Sequence, residues 1–334
     1  MTDISFLIIG AQKAGTTSLF EYMRRHPAIH MPPEKEISFF ATDSEYHRGV
    51  DWFEARVTRN AVAGAVCGSA SVSDMTGTPY RDVPLDAWDP ASTARPEPIE
   101  DVIPRRIREA LPDVKLLCVL RDPVERAFSH YWMAVLDGLE SQPFETAIAE
   151  LLDPRAMMHA RAVATGHNGY IARGEYGRIL AGFLRTFPRE QLSVLFSNEL
   201  ARDTRGTLST VFEFIAVDPN FVPDNLDDRY RAAAVRQRVP GFNLNLWRSR
   251  LADVRLARAS WHRFPTRMRG SIDAATSVAA YRVELWNAMR DVQSDEMSAA
   301  VRQRLIAHFL PDGEDLSVLL GAEVPWLEAW TSQR

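Results

Sequence analysis

Cysteine is nearly absent from this chain, and that scarcity excludes a fold stabilised by a disulfide framework. Cys67 and Cys118 are the only cysteines among 334 residues, and both stand in apolar surroundings. Small secreted domains that depend on disulfides carry cysteine at much higher density. We therefore expect two buried thiols in a reducing compartment, which indicates a cytoplasmic location.

Long hydrophobic runs are missing as well. No apolar stretch reaches the roughly 18 residues that a membrane-spanning helix requires. The N-terminal sequence MTDISFLIIG has neither a basic region nor a cleavage site. Its short apolar run is typical of a buried strand rather than a signal peptide. The sequence therefore predicts no integral membrane segment.

Lysine is the scarcest charged residue. Only Lys13, Lys35 and Lys115 occur among 39 basic residues, so lysines beside a glycine-containing loop and in the segment PPEKE stand out. Between residues 229 and 269, eleven arginines stand against one acidic residue. Because few aromatic residues are interleaved with them, we interpret this stretch as solvated helix faces and predict no nucleic-acid partner.

Short apolar strands alternate with helical patterns along much of the chain. Strands are predicted at residues 5–10, 114–120 and 191–196, with amphipathic helices between them. Such alternation is typical of a parallel sheet. The predicted fold class is therefore α/β, a P-loop-like doubly wound parallel sheet flanked by helices, with a mostly helical C-terminal part.

Length and apolar content suit a single domain over residues 1–334. Residues 229–334 are predicted to form its mainly helical C-terminal part. Residues 74–104 are rich in proline and lack clear periodicity, so they predict a loop insertion in the same domain. Residues 30–40, HMPPEKEISFF, predict a proline-led turn into a short strand.

The segment IIGAQKAGTTS, residues 8–18, looks like a nucleotide-binding loop but departs from its rule. A Walker loop reads G-x-x-x-x-G-K-[ST], with the lysine directly after the second glycine. Here Thr16 follows Gly15, and the lysine lies earlier, at Lys13. The order of strand, glycine-containing loop and helix remains, and free amides at the helix start favour a bound anion.

A second predicted strand, VKLLCVL, leads into another loop with a charged residue. Arg121 follows it, and Pro123 suits the first turn of the next helix. An arginine at the carboxyl end of a parallel strand faces the ligand crevice. Because no carboxylate suited to a magnesium ion is evident there, the pattern predicts a second phosphate rather than a metal.

Two segments together resemble the PAPS-dependent sulfotransferases, which transfer a sulfuryl group from 3′-phosphoadenosine 5′-phosphosulfate (PAPS). These segments are FLIIGAQKAGTTSL and LLCVLRDPVERAFSHY. The similarity continues through residues 175–200 and 304–321, and it leaves out mainly residues 74–100 and 240–290. The segment KEISFF is closer to the carbohydrate (heparan-type) and bacterial branch than to the branch that acts on phenols and steroids.

The resemblance implies a donor site built from both loops. Lys13 would contact the bridging and departing oxygen of the phosphosulfate. Arg121 and Ser129 would bind the 3′-phosphate, and Arg236 and Arg238 would belong to a segment that closes over the nucleotide. The residues implied for the 5′-phosphosulfate loop are Gln12, Lys13, Ala14, Gly15, Thr16, Thr17 and Ser18.

The resemblance also implies a catalytic base. Carbohydrate sulfotransferases carry this acid just before a hydrophobic-x-Phe-Phe segment, and here that position is Glu36. Glu34 is an alternative acid, and His30 and His130 are alternative bases. The choice among them is open from the sequence.

This chain departs from the family pattern at places on the acceptor side. Ser38 stands where the family has a histidine. In CGSASVSD, residues 67–74, Ser69 replaces an acid and Val72 replaces a proline, while Ser71 still matches. These departures put a role for the missing acid in doubt.

The implied reaction moves a sulfuryl group from PAPS to a hydroxyl, in preference to an amine, of a small-molecule, lipid or sugar acceptor. The expected product of the donor is 3′,5′-ADP, and no metal is expected. Two other functions stay open from the sequence: a P-loop kinase-like phosphotransferase, and an inactive protein that binds 3′,5′-ADP. The identity of the acceptor and the oligomeric state stay open as well.

Overall fold

The computed structural model describes residues 3–77, 99–137, 139–162, 168–228 and 296–331, and the backbone of residues 236–237 and 288–289. Strands in these ranges belong to one large sheet and one small one. They are β1 (Ile4–Gly10), β2 (Ile29–His30), β3 (Val66–Ala70), β4 (Lys115–Leu120), β5 (Leu192–Phe196), β6 (Arg236–Gln237) and β7 (Ala288–Met289).

Helices separate the strands of the large sheet and follow it along the chain. Two further turns, Ala172–Gly174 and Arg189–Gln191, are 3₁₀-helical. The α-helices are α1 (Thr16–Met23), α2 (Asp43–Tyr46), α3 (Val50–Val57), α4 (Ser73–Thr76), α5 (Ile99–Ala110), α6 (Pro123–Leu136), α7 (Phe144–Leu151), α8 (Pro154–Ala162), α9 (Tyr176–Thr186), α10 (Ser197–Arg202), α11 (Thr204–Phe214), α12 (Ala299–Leu320) and α13 (Pro325–Thr331).

Five parallel strands form the large sheet in the order β2-β3-β1-β4-β5. Every residue of β1 except Ser5 is buried, and so is every residue of β4 except Lys115. Strands of this kind, apolar on both faces, occur where helices cover both sides of a parallel sheet. The structure confirms the predicted α/β class. Strands β6 and β7 form a separate antiparallel pair.

The chain leaves β1 and β4 in opposite directions across the sheet. The connection after β1 leads to β2 and β3 on one side, whereas the connection after β4 leads to β5 on the other. The two strands pair directly, and the Ala11 amide donates a 2.8 Å hydrogen bond to the Val119 carbonyl. Because α/β sheets bind ligands at the carboxyl ends of such a strand pair, the loops after β1 and β4 mark the functional edge.

The strand predicted within residues 30–40 is wrong, because β2 ends at His30. The apolar residues behind that prediction pack into an aromatic cluster instead. Phe39 stacks on Phe53 with ring centroids 4.8 Å apart, and Phe40 meets the same ring edge-on at 5.2 Å. Burial in this cluster, rather than pairing in the sheet, explains the apolar run.

The predicted loop insertion at residues 74–104 is helical at both ends, since α4 reaches Thr76 and α5 begins at Ile99. Its middle, residues 78–98, lies outside the described ranges. In the C-terminal part, α12 and α13 account for nearly all described residues from 299 to 331. None of the described helices combines the length and the apolar character needed to cross a lipid bilayer.

A buried carboxylate, Glu175, joins three helices. Its side chain is 4% exposed and accepts hydrogen bonds from Arg161 of α8 at 2.6 and 2.8 Å and from Arg178 of α9 at 2.9 Å. Nε2 of His308, on α12, lies 3.1 Å away. Burial alone would raise the pKa of Glu175, but these hydrogen bonds and the arginine charges outweigh burial and hold that pKa well below its usual range.

We expect Glu175→Gln to lower the free energy of unfolding by about 3 kcal/mol at neutral pH, because it removes the buried carboxylate that binds two partly exposed arginines. The carboxylate contributes fully above the unfolded-chain pKa of about 4.3, and its contribution is lost as the pH falls through the lower folded-state pKa. Urea denaturation followed from neutral pH to about pH 3 should therefore show the two proteins converging. The exposed Glu213→Gln on α11 is the control, and equal stability of both variants would contradict this account.

Candidate active site

The loop between β1 and α1 presents the start of a helix that no side chain caps. Gly15, directly before α1, has φ 106° and ψ 10°, a left-handed conformation that favours glycine. The helix begins its own hydrogen-bond ladder where the Leu19 amide donates to the Gly15 carbonyl at 3.1 Å. Amides before that bond, on Thr16, Thr17 and Ser18, point out of the helix start, where an anion is favoured.

Two contacts join this loop to its surroundings. The Gln12 amide oxygen accepts a 2.6 Å hydrogen bond from Nη1 of Arg173, which follows α8 in a 3₁₀ turn. The Lys13 carbonyl accepts a 3.4 Å hydrogen bond from Nη1 of Arg121 at the end of β4. Lys13 itself has φ 68°, an uncommon conformation for a residue with a side chain. The two loops predicted to bind phosphates are therefore in direct contact.

Arg121 lies two residues before α6, and Ser129 lies within that helix. Asp122 caps the helix by accepting hydrogen bonds from the amides of Val124 at 2.8 Å and Glu125 at 3.4 Å. Arg121 lies 3.9 Å from the Glu125 carboxylate. The Ser129 hydroxyl is buried and has no hydrogen-bond partner among the described residues. A buried hydroxyl left in this state fits a phosphate, which could accept from it and from Arg121.

Two guanidinium groups lie near these loops, one on a fully buried residue and one on a half-buried residue, and the sequence analysis did not single them out. Arg126 of α6 is fully buried and donates to the Tyr170 carbonyl, while Arg173 reaches Gln12. Burial and then the neighbouring charge of Arg126 lower the pKa of Arg173 to about 10, and Glu36 opposes the shift. Burial likewise lowers the pKa of Arg126, with a smaller lowering by Arg121. Three arginines that repel one another favour a bound anion.

The role of neither arginine could be recognised from sequence alone. The chain holds 36 arginines once its three lysines are subtracted from 39 basic residues, and most belong to no recognisable motif. What distinguishes Arg126 and Arg173 is burial near a second guanidinium, which only the folded chain shows. The sequence offered one signal for these residues: Arg126 lies in the segment RDPVER, and Arg173 lies in the segment ARGEYG.

Glu36 lies at the carboxyl end of β3, next to the loop after β1. Its amide donates to the Ala70 carbonyl at 2.8 Å, and its carboxylate accepts from the Val72 amide at 2.9 Å and from Nζ of Lys35. Its φ is 70°. Within the described ranges only four residues other than glycine have positive φ, and Lys13 and Glu36 are two of them. Backbone strain of this kind concentrates at functional sites.

The alternative proton acceptors lie in different settings. Glu34 pairs with Arg56 at 3.4 Å. His30 lies in β2, opposite Cys67 at the start of β3, and therefore away from the edge that carries the loops. His130 is fully buried on α6, with Nδ1 3.5 Å from Nη1 of Arg126. Of these candidates, Glu36 is the one that contacts the carboxyl end of β3.

Asp74, which the sequence analysis also did not single out, is a second acid at this edge. It lies in α4, directly after β3, and is completely buried. Neither carboxyl oxygen has a hydrogen-bond partner in the part of the chain that the structure describes. Burial, and secondarily the charge of Glu36, raises the pKa of Asp74 well above its usual range. Its position at the end of a parallel strand was a signal that could have identified it.

Arg236 and Arg238 cannot be placed in the site. The backbone of Arg236 forms part of β6, paired with β7, and its side chain is not described. Arg238 lies outside the described ranges. Their role in closing over a nucleotide stays a prediction.

A family model for the sulfotransferase domain matches residues 3–235, which is more than half of the chain and includes both loops. This chain belongs to the sulfotransferase family. The bovine bifunctional heparan sulfate N-deacetylase/N-sulfotransferase 2 is 26% identical over 225 residues, covering 64% of this chain and 22% of the relative. The mouse heparan sulfate glucosamine 3-O-sulfotransferase 3B1 is 29% identical over 216 residues, covering 63% and 45%. This chain thus matches less than half the length of either relative.

The fold is also similar to a solved bacterial structure. A sulfotransferase from Alicyclobacillus acidocaldarius superposes with a TM-score of 0.61 and 24% identity, and the match covers 98% of each chain. At this level of identity the likeness concerns the fold alone. It agrees with the parallel five-stranded sheet described above.

Gly15→Ala tests whether the helix start of this sulfotransferase binds an anion. An alanine at φ 106° should cost about 1 kcal/mol of stability and tilt the loop amides. Loss of one charge-assisted hydrogen bond should lower the affinity for 3′,5′-ADP about tenfold. Isothermal titration calorimetry measures this affinity.

Gly321→Ala is the matched control, because Gly321 also has a left-handed backbone, with no atom near its added Cβ, but ends α12. It should lose similar stability and keep full affinity. Equal affinity of the two variants would show that the loop does not hold the nucleotide.

Proposed function

We propose that this sulfotransferase moves a sulfuryl group from PAPS to a hydroxyl, in preference to an amine, of a small-molecule, lipid or sugar acceptor. The observation that carries the proposal is the convergence of two strained residues. Lys13 and Glu36 both have positive φ. Lys13 follows β1, and Glu36 contacts the carboxyl end of the adjacent strand β3, at the edge where no side chain caps α1. A cation for the leaving group and a base for the acceptor belong side by side in this chemistry.

The donor side would use the groups around the two loops. Amides at the start of α1 and the Lys13 ammonium would hold the 5′-phosphosulfate, and Arg121 with the Ser129 hydroxyl would hold the 3′-phosphate. The 3′-phosphate would take over Arg121 from Glu125, whose carboxylate keeps a 2.5 Å contact with Arg302. Arg173 supports the loop through Gln12, and its charge adds to the positive field. PAPS and its product 3′,5′-ADP fit this set of donors.

The acceptor side would use Glu36 as the general base. Glu36 would take the proton of the acceptor hydroxyl as the acceptor oxygen forms its bond to sulfur. The bond from sulfur to the bridging oxygen breaks at the same time, and Lys13 stabilises the charge that develops on the departing phosphate. The name of the mouse relative refers to glucosamine, a sugar, which favours a sugar-like acceptor for this chain as well.

A direct test incubates the protein with radiolabelled PAPS and a panel of sugars, lipid alcohols and phenols in the presence of a chelator. Sulfated product is expected without added metal. Binding of 3′,5′-ADP should stabilise the folded protein by RT ln(1 + [L]/Kd), so the melting temperature should rise with 3′,5′-ADP concentration. The rise with ATP should be much smaller. Preference for ATP, or binding of 3′,5′-ADP with no transfer to any acceptor, would contradict the proposal.

Lys13→Ala and Arg121→Ala should separate chemistry from binding. Lys13→Ala should lower kcat by about a hundredfold, because one stabilising donor for the leaving group is lost. Arg121→Ala should lower the affinity for 3′,5′-ADP by about tenfold or more, because a charged hydrogen bond is lost. Arg205→Ala, an exposed residue of α11, is the control. Full activity and full affinity for 3′,5′-ADP in both variants would contradict the roles proposed for Lys13 and Arg121.

Glu36→Gln should lower kcat by roughly 10²–10⁴, the usual contribution of a general base, while 3′,5′-ADP affinity stays close to that of the wild type. Steady-state kinetics with the best acceptor of the panel, together with calorimetry, measures both quantities. Glu34→Gln is the matched control, since it removes a neighbouring acid that pairs with Arg56. A larger loss for Glu34→Gln than for Glu36→Gln would reverse the choice of base.

A further inference from the structure

Arg121, the residue proposed to hold the 3′-phosphate, stands beside two acidic side chains. Asp122 follows it directly, and Glu125 lies one helical turn further on, with Oε2 3.9 Å from Nη2 of Arg121. A guanidinium group pairs with carboxylates through the same fork of N–H donors that it presents to phosphates. Either acid can therefore compete with a nucleotide phosphate for Arg121.

Both of these acids are held by residues of the last two described helices. Nε1 of Trp330, in α13, donates to Oδ2 of Asp122 at 3.2 Å, while the other oxygen of Asp122 caps α6. Nη2 of Arg302, in α12, donates to Oε1 of Glu125 at 2.5 Å. Residues far along the chain therefore engage the two groups that would otherwise occupy Arg121.

Glu125 is shared unequally between two arginines. Its oxygen lies 2.5 Å from Arg302 but 3.9 Å from Arg121, and the longer distance exceeds that of a hydrogen bond. The Arg121 guanidinium also makes a 3.4 Å contact with the Lys13 carbonyl, and its side chain is partly exposed. Arg121 therefore remains accessible to a nucleotide, while the carboxylate nearest to it is bound to Arg302.

The position of Arg302 within its own helix does not favour a cation. Arg302 is the fourth residue of α12, and the first turn of that helix contains no acidic residue. The helix dipole disfavours positive charge near a helix start. The contact with Glu125, on a different helix, offsets this disadvantage. The contribution of the Arg302 charge therefore lies at Glu125, next to the proposed phosphate site.

We propose that Arg302 is a positioning residue for the nucleotide: it holds the Glu125 carboxylate away from Arg121 and balances its charge, so that Arg121 stays available for the 3′-phosphate. This inference rests on the donor site of the proposed function. Arg302 acts through Glu125 and does not itself bind the nucleotide. Its effect is on the discrimination between nucleotides that carry a 3′-phosphate and those that lack one.

The experiment compares 3′,5′-ADP with 5′-AMP, which differ only in the 3′-phosphate, by isothermal titration calorimetry. The wild type should prefer 3′,5′-ADP. Arg302→Ala should lower the affinity for 3′,5′-ADP by roughly fivefold, the effect of a partly exposed charge pair, because Glu125 is then released to pair with Arg121. The affinity for 5′-AMP should not change. Arg302→Lys keeps the charge and should retain most of the preference.

Variants of Glu125 separate this role from a purely structural one. The double variant Arg302→Ala/Glu125→Gln should regain the wild-type preference, although the contact between α12 and α6 is still broken. Glu125→Gln alone should bind 3′,5′-ADP at least as tightly as the wild type, because a negative charge near the phosphate is removed. Arg304→Ala, at an exposed position of the same helix, is the control that should leave both affinities unchanged.

An unchanged preference in Arg302→Ala would overturn the role of Arg302 and leave the proposed donor site intact. A double variant that does not regain the preference would also overturn it, because the effect would then not pass through Glu125. Weaker binding of 3′,5′-ADP by Glu125→Gln would show that Glu125 assists Arg121, and this result rejects the inference even if Arg302→Ala does not fold. A wild type that binds 3′,5′-ADP and 5′-AMP equally would reject the 3′-phosphate site of the proposed function as well.

Discussion

The pairing of β1 with β4 determines where every other part of the site lies. These two strands run side by side in the middle of a parallel sheet, and the chain turns away from them in opposite directions. Their loops are consequently brought to one edge, where the Ala11 amide binds the Val119 carbonyl and Arg121 contacts the Lys13 carbonyl. A site that must hold two separated anionic groups of one nucleotide needs this kind of fixed spacing.

Positive charge is the second constraint. Arg126 is buried and Arg173 is half-buried. Burial lowers the pKa of both, Arg126 lowers the pKa of Arg173 further, and Arg121 lowers that of Arg126. Around Glu175 the arrangement differs, because Arg161 and Arg178 both pair with the Glu175 carboxylate. The Glu175 cluster therefore stabilises the fold, whereas the repulsion of Arg126 by Arg121 and Arg173 favours binding of an anion.

Much of this arrangement could be predicted from local sequence patterns. Gly15, Lys13 and Arg121 stand at recognisable positions relative to strand ends, and β1, β4 and β5 follow from short apolar runs. Phe39 and Phe40 misled the strand prediction because an aromatic cluster and a buried strand both require consecutive apolar residues. The importance of Asp74, Arg126 and Arg173 depends on burial and on neighbours distant in sequence, so no local pattern reports it.

The most direct test of the account is a crystal structure of the protein with 3′,5′-ADP. The account predicts the 5′-phosphate within hydrogen-bond distance of the amides of Thr16 to Ser18, and the 3′-phosphate on the Arg121 guanidinium and the Ser129 hydroxyl. A nucleotide bound away from the β1–α1 loop, or a 3′-phosphate that leaves Arg121 paired with Glu125, would contradict it.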